Sequence, residues 1–135
     1  MVILFVCKWN QGRSQIAKAL LKRLGTKNTC ISAGTHVDKN SKLHTPLSIC
    51  APLVVKALQE WGIDVSDCTP RPLTKELVDS SDRIVIMCGH KDLPDYLQNN
   101  QKNIFWDIED PDGKDYTYHQ KMRNKIDKLI ESNHF

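Results

Sequence analysis

Val2-Ile3-Leu4-Phe5-Val6 is apolar without a break. A strand with one solvated face alternates apolar and polar residues, so an unbroken run implies cover on both faces. Helices packed on either side of a parallel sheet supply such cover, and the rest of the chain alternates accordingly. The spacing predicts a helix from Ser14 to Leu24, with Ile16, Ala17, Ala19, Leu20, Leu21 and Leu24 on its apolar face and Gly25 as its stop. Thr29 to Ala33 reads as a second strand ending at Gly34, and residues 35–50 as a polar, irregular surface loop. Pro52 to Trp61 reads as a helix closed by Gly62. Pro70 and Pro72 precede a short helix around Lys75 to Val78; Arg83 to Met87 and Asn103 to Trp106 read as the third and fourth strands. Tyr116 to Ile130 closes the chain as a helix with Met122, Ile126, Leu129 and Ile130 turned inward. The expectation is an α/β sandwich around a parallel sheet, one domain over residues 1–135.

No apolar run is long enough for a membrane span, and Val2 to Cys7 follows Met1 without a basic segment or a cleavage site. A cytoplasmic chain is therefore expected. Its five cysteines (Cys7, Cys30, Cys50, Cys68, Cys88) show no tight pairing, which argues against a disulfide framework. With no CxxC and no His/Cys cluster, a metal site is not expected; Cys88-Gly89-His90 is the nearest approach to one. The net charge of +3 favours anions, but no basic block or aromatic-basic stripe points to nucleic acid.

In open α/β sheets ligands sit beyond the carboxyl ends of the strands, which directs attention to the loop after the first one. There Cys7-Lys8-Trp9-Asn10-Gln11-Gly12-Arg13-Ser14 reads C-x5-R-S between a buried strand and a helix. A tight loop at a helix N-terminus offers backbone N–H groups and the positive end of the helix dipole, and so cradles an anion. The same field stabilises a thiolate. Lys8, Trp9, Asn10, Gln11, Gly12 and Ser14 form the expected substrate cradle, with Cys7 as nucleophile and Arg13 as a permanently charged fork. Asn10 suits a left-handed turn, and Ser14 is placed to donate to the sulfur. A proton donor for the leaving group is also required, and Asp110, held by Pro111 in a carboxylate-rich loop, is the candidate.

These residues resemble a known family. C-x5-R-S after the first strand, Ser14-Gln15-Ile16-Ala17, Ser32-Ala33-Gly34-Thr35, Gly62-Ile63-Asp64 and Asp110-Pro111 are similar to the low-molecular-weight protein tyrosine phosphatases. They are equally similar to the thioredoxin-coupled arsenate reductases. The resemblance implies a four-stranded parallel sheet in the order 2-1-3-4 flanked by helices, no cofactor, and Cys7, Arg13 and Asp110 as catalytic residues. It implies a phosphorylated protein, with phosphotyrosine the first choice, or a small phosphate ester as substrate. Neither a membrane nor a nucleic-acid partner is implied. Four positions depart from the pattern: Trp9 replaces a glycine, Gly12 replaces a second cysteine, and Asp112-Gly113 follow Pro111 where animal members carry two tyrosines.

Arsenate reduction is the alternative, beginning with the same Cys7 attack and ending on a thiol reductant. Its relay needs two further cysteines. Cys88 stands as the candidate redox residue, but residues 92–95 contain no second one, so only a small-thiol-coupled variant fits. A catalytically idle phosphate-binding module is the third reading. The implied strand order sets the first and third strands side by side, which suggests a reversible Cys7–Cys88 disulfide.

Overall fold

The computed structural model describes residues 1–37 and 44–135. Four strands form one parallel sheet: β1 (Val2–Cys7), β2 (Thr29–Gly34), β3 (Arg83–Ile86) and β4 (Asn103–Phe105), in the spatial order β2-β1-β3-β4. The order expected from the family resemblance is the order observed. β1 lies at the centre, paired with β2 through Val2↔Thr29 to Cys7↔Gly34 and with β3 through Ile3↔Arg83 to Val6↔Ile86. Its alternate side chains enter two different cores, which explains the unbroken apolar run. Ile3 and Phe5 join Val85 and Met87 under three helices, α1 (Arg13–Arg23), α3 (Pro52–Gln59) and α5 (Tyr116–Asn133). Leu4 and Val6 join Ile84 and Ile86 on the other face, covered by α4 (Lys75–Ser80) and by Leu93 and Leu97 of two short 3-10 turns.

Helix ends follow local chemistry. Gly25 and Gly62 take left-handed backbones just beyond α1 and α3 (φ 69° and 74°), where a side chain would be strained. Thr74 caps α4 by accepting from the Leu77 N–H, and Asp115 caps α5 by accepting from that of Tyr118. Buried Arg123 ties α5 to α3: its Nη1 donates to the Ala57 carbonyl at 2.7 Å, and its guanidinium lies over the Trp61 ring.

Two expectations change. Part of the predicted loop, Leu47–Cys50, is a short helix, α2, whose Leu47 is fully buried and donates its N–H to the Cys68 carbonyl at 2.8 Å. Its four residues carry too little periodicity to show in the sequence; residues 38–43 of that loop lie outside the described residues. Secondly, β3 stops at Ile86, so Cys88 lies beyond the strand and not at its end. The other strand and helix limits shift by about one to three residues, as fraying ends do.

Candidate active site

Cys7 ends β1 and is almost fully buried, with its sulfur at the floor of a cleft of about 230 Å³. The loop that follows turns its carbonyls outward. Those of Cys7 and Lys8 accept from Thr35 and His36, that of Asn10 from the Gln15 amide, and that of Gly12 from Ile16 in α1. What remains for a bound anion is the loop's N–H groups and the positive end of α1, whose N-cap Gly12 offers no side chain.

Asn10 is the pivot of the loop. It takes the left-handed conformation (φ 52°) and is completely buried. Its Oδ1 accepts from Gln15 Nε2 at 3.1 Å and from the Arg71 N–H at 2.8 Å, which fixes the amide so that Nδ2 donates to Ser14 Oγ at 2.6 Å. Ser14 Oγ lies 2.9 Å from Cys7 Sγ. Because Asn10 Nδ2 can only donate, Ser14 is the acceptor there, and its own proton is free to point at the sulfur. The chain from Arg71 and Gln15 through Asn10 and Ser14 thus delivers a hydrogen bond that stabilises negative charge on Cys7.

Arg13 is 6% exposed. Its Nη1 donates to the carbonyl of Met87, just past β3, and to that of Ile108 at 3.0 Å. One end of the guanidinium is therefore held by backbone. Nε has no partner among the described residues, and Nη2 meets Asp110 Oδ2 at 3.7 Å. The Nε–Nη2 edge is the one left for two oxygens of an oxyanion. Asp110 is held from both sides, since its Oδ1 also accepts from the Asp112 N–H at 3.0 Å. A Cβ on Gly12 would come within 2.8 Å of Pro111 Cγ, so the bare glycine lets the Asp110 loop close on the cysteine loop. Gly34 serves a similar purpose at the end of β2, where a Cβ would meet the Lys8 carbonyl and the Asn10 N–H at under 3 Å.

The expected site residues divide by position. Cys7, Trp9, Gln11, Gly12, Arg13 and Asp110 line the cleft. Asn10 and Ser14 lie buried behind the loop and act on it. Lys8 is not among the residues lining the cleft; its Nζ lies 5.3 Å from the Trp9 ring centre, while His36 meets the same ring edge-on. Cys88 shares the carboxyl end of the sheet but packs against the core of the opposite face from Cys7. Burial first, then the charge on Cys7, push its thiol up to about 12. All five cysteines are free, so the Cys7–Cys88 bond suggested by strand order is not formed here; the two residues pack against different cores.

Sequence reasoning missed several contributors. Gln15 is a fully buried polar residue on an apolar helix face, a signal that was available. The Met87 and Ile108 carbonyls and the Arg71 N–H leave no trace in side-chain identity. The apolar cleft wall of Cys50, Ala51, Pro52, Leu53 and Val54 comes from α2 and α3, and buried His119 from α5. Among the described residues no group of three or more His, Cys, Asp or Glu side chains is arranged to hold a metal ion.

Residues 2–134 match the profile of the family described as Low molecular weight phosphotyrosine protein phosphatase. The chain belongs to that family. Its relatives within the low-molecular-weight phosphatase family carry more than one activity in their names. Arsenate reductase 1 of Bacillus cereus is 30% identical over 131 residues, covering 96% of this chain and 90% of the relative. The solved YwlE arginine phosphatase from Geobacillus stearothermophilus is 27% identical with a TM-score of 0.79, over 96% of this chain and 88% of that one. A low molecular weight protein tyrosine phosphatase from T. tengcongensis is 26% identical with a TM-score of 0.80, over 97% and 95%.

Proposed function

We propose that this enzyme hydrolyses phosphate monoesters through a phosphocysteine intermediate. The observation that carries this reading is the convergence of three groups on one cleft. These are a sulfur that receives the Ser14 hydrogen bond, an Arg13 edge left open by backbone anchoring, and the Asp110 carboxyl beside it. In the first step the Cys7 thiolate attacks phosphorus and the P–O ester bond breaks, Asp110 giving its proton to the departing oxygen. In the second, water attacks the phosphocysteine, Asp110 takes the proton from it, and the P–S bond breaks to return the thiolate, with inorganic phosphate released. Arg13 and the loop N–H groups hold the equatorial oxygens, whose charge is greatest in the transition state. Ser14 steadies the sulfur as it leaves. The apolar wall of Leu53, Val54 and Pro111, with Trp9 opposite the open loop, suits an aromatic leaving group such as the tyrosyl ring of a phosphoprotein.

Arsenate reduction is the second reading, favoured by the name of the Bacillus cereus relative. It would use Cys7 in the same way on arsenate and pass the oxidation on to a thiol reductant, with Cys88 as the resolving thiol. The high Cys88 range and the absence of cysteine from residues 89–96 both weigh against an internal relay.

Parallel assays separate the two. We expect p-nitrophenyl phosphate hydrolysis that vanishes in Cys7→Ser, and little thiol-dependent arsenate reduction. Asp110→Asn should slow phenyl phosphate by about 100-fold or more and p-nitrophenyl phosphate much less, because only the poorer leaving group needs the proton. Arsenate turnover far above phosphatase turnover would reverse the assignment.

A further inference from the structure

A second cleft, of about 550 Å³, opens on the other side of α1, between that helix, β2 and the segment 67–72. That volume is in the range of small-molecule sites. Its walls carry the cations Lys18 and Lys22 from α1 and Arg71 from the segment before α4. Asp67 is the one carboxylate on the walls among the described residues, and none of the three cations makes an ion pair with a described residue. Lys18 is half-buried; burial pushes its ammonium below the ordinary range, Cys68 opposes this, and Lys22 and Arg71 add to it. Lys18 is the half-buried member, Lys22 and Arg71 are exposed, and the excess of positive charge around the cleft favours an anion between them.

An independent feature points the same way. Ser32 is 3% exposed and lines the cleft, yet its Oγ has no hydrogen-bond partner among the described residues. Buried hydroxyls are nearly always satisfied, and an orphan beside three cations fits a site whose missing partner is an acceptor. The Arg71 backbone is fixed, its carbonyl accepting from Gly34 and its N–H donating to Asn10, so its guanidinium projects from a rigid base.

We propose that this cleft binds a multiply charged phosphate anion, held by Lys18, Lys22 and Arg71, with the Ser32 hydroxyl donating to it. The guanidinium fork and two ammonium groups match tetrahedral phosphate oxygens, and the polar walls suit a compact phosphorylated metabolite or inorganic polyphosphate more than an apolar ligand. The site is separate from the Cys7 cleft and takes no part in the chemistry there.

Titration of the full chain, labelled with nitrogen-15, with inorganic pyrophosphate tests the assignment. Reporters for the second cleft are the amides of Ser32 and Cys68; the Arg71 amide is avoided because it bonds directly to Asn10. Reporters for the catalytic loop are Gln11 and Gly12. Two isotherms with different midpoints are expected. In Lys18→Gln/Lys22→Gln the Ser32 and Cys68 isotherm should weaken by about tenfold or more, as loss of charge-assisted bonds implies, while the Gln11 and Gly12 isotherm stays and shows the variant folded. If the Lys18 change unfolds the chain, Lys22→Gln/Arg71→Gln alters only exposed side chains and must weaken the same isotherm. Ser32 and Cys68 amides that do not move, that titrate with the midpoint of Gln11 and Gly12, or that keep their midpoint in the folded variant overturn the proposal.

Discussion

The chemistry proposed for Cys7 rests on residues buried behind the cysteine loop. Asn10 donates to Ser14 and so leaves the Ser14 proton for the sulfur, while Gln15 and the Arg71 N–H hold the Asn10 oxygen and fix which way its amide points. Ser14→Ala removes the last bond of this chain and leaves the buried Asn10 Nδ2 without its acceptor. Hydrogen bonds to charged groups are worth about 1.5–3 kcal/mol, so kcat should fall roughly 10- to 100-fold. The loss should fall mainly on breakdown of the phosphocysteine, where the sulfur is the leaving group. A burst of p-nitrophenol that becomes larger relative to the steady rate is the expected signature. An unchanged kcat with no burst would show that Ser14 does not act on the sulfur. Cys7, Arg13 and Asp110, proposed here as nucleophile, fork and acid, stand out in the sequence because those roles are defined by side-chain chemistry and by one spacing. Gln15 was harder to read, since its role depends on a backbone 54 residues away, at Thr69, as much as on Asn10.

Among the elements, the decisive contact is between two loops and runs through a glycine. Gly12 lies directly beneath Pro111, with no room for a methyl group between them. Gly12→Ala should push the Asp110 loop away from the cleft while leaving Cys7 and Arg13 in place. We expect a fall in kcat that is steep for alkyl and phenyl phosphates and shallow for p-nitrophenyl phosphate, the same pattern as Asp110→Asn. Overpacking of this kind costs about 1–3 kcal/mol, so a lower urea midpoint should accompany it. An equal loss for every leaving group would place the damage in the cysteine loop and not in the acid. The sequence marks Gly12 as a departure from the family pattern; its partner across the cleft becomes apparent only when the two loops are brought together.

At the scale of the whole molecule, the half-buried Cys88 thiol links stability to pH. Its folded value is pushed up to about 12 from an ordinary value of 9.0, chiefly by burial. Above about pH 9 the unfolded chain loses this proton while the folded chain keeps it, so unfolding releases a proton and stability falls as pH rises. The contribution is fully present below pH 9 and is lost progressively toward pH 12, at no more than about 1.4 kcal/mol per pH unit. Urea unfolding between pH 9 and 10 should therefore show a falling ΔG whose slope becomes shallower in Cys88→Ala. Cys30, also raised by burial, leaves a residual slope in the variant. An identical slope in both chains would mean that Cys88 ionises as readily folded as unfolded.

By itself the sequence determined the class of fold and brought forward the residues proposed as reactive groups. An apolar run without alternation requires cover on both faces, helical spacing is set by the geometry of a single segment, and a cysteine loop opening a helix places backbone N–H groups at the helix start. These are short-range consequences, available before the chain folds. The tertiary structure decided what depends on distant segments meeting. The Met87 and Ile108 carbonyls orient Arg13, Pro111 settles on Gly12, α2 and α3 wall the cleft, and Cys88 turns to the opposite core from Cys7. Backbone carbonyls carry no side-chain signature, and the direction of a residue beyond a strand's end follows from packing and not from the alternation within the strand. The cationic second cleft belongs to the same category: Lys18, Lys22, Ser32 and Arg71 are ordinary residues along the chain, and only the fold gathers their charges around one space.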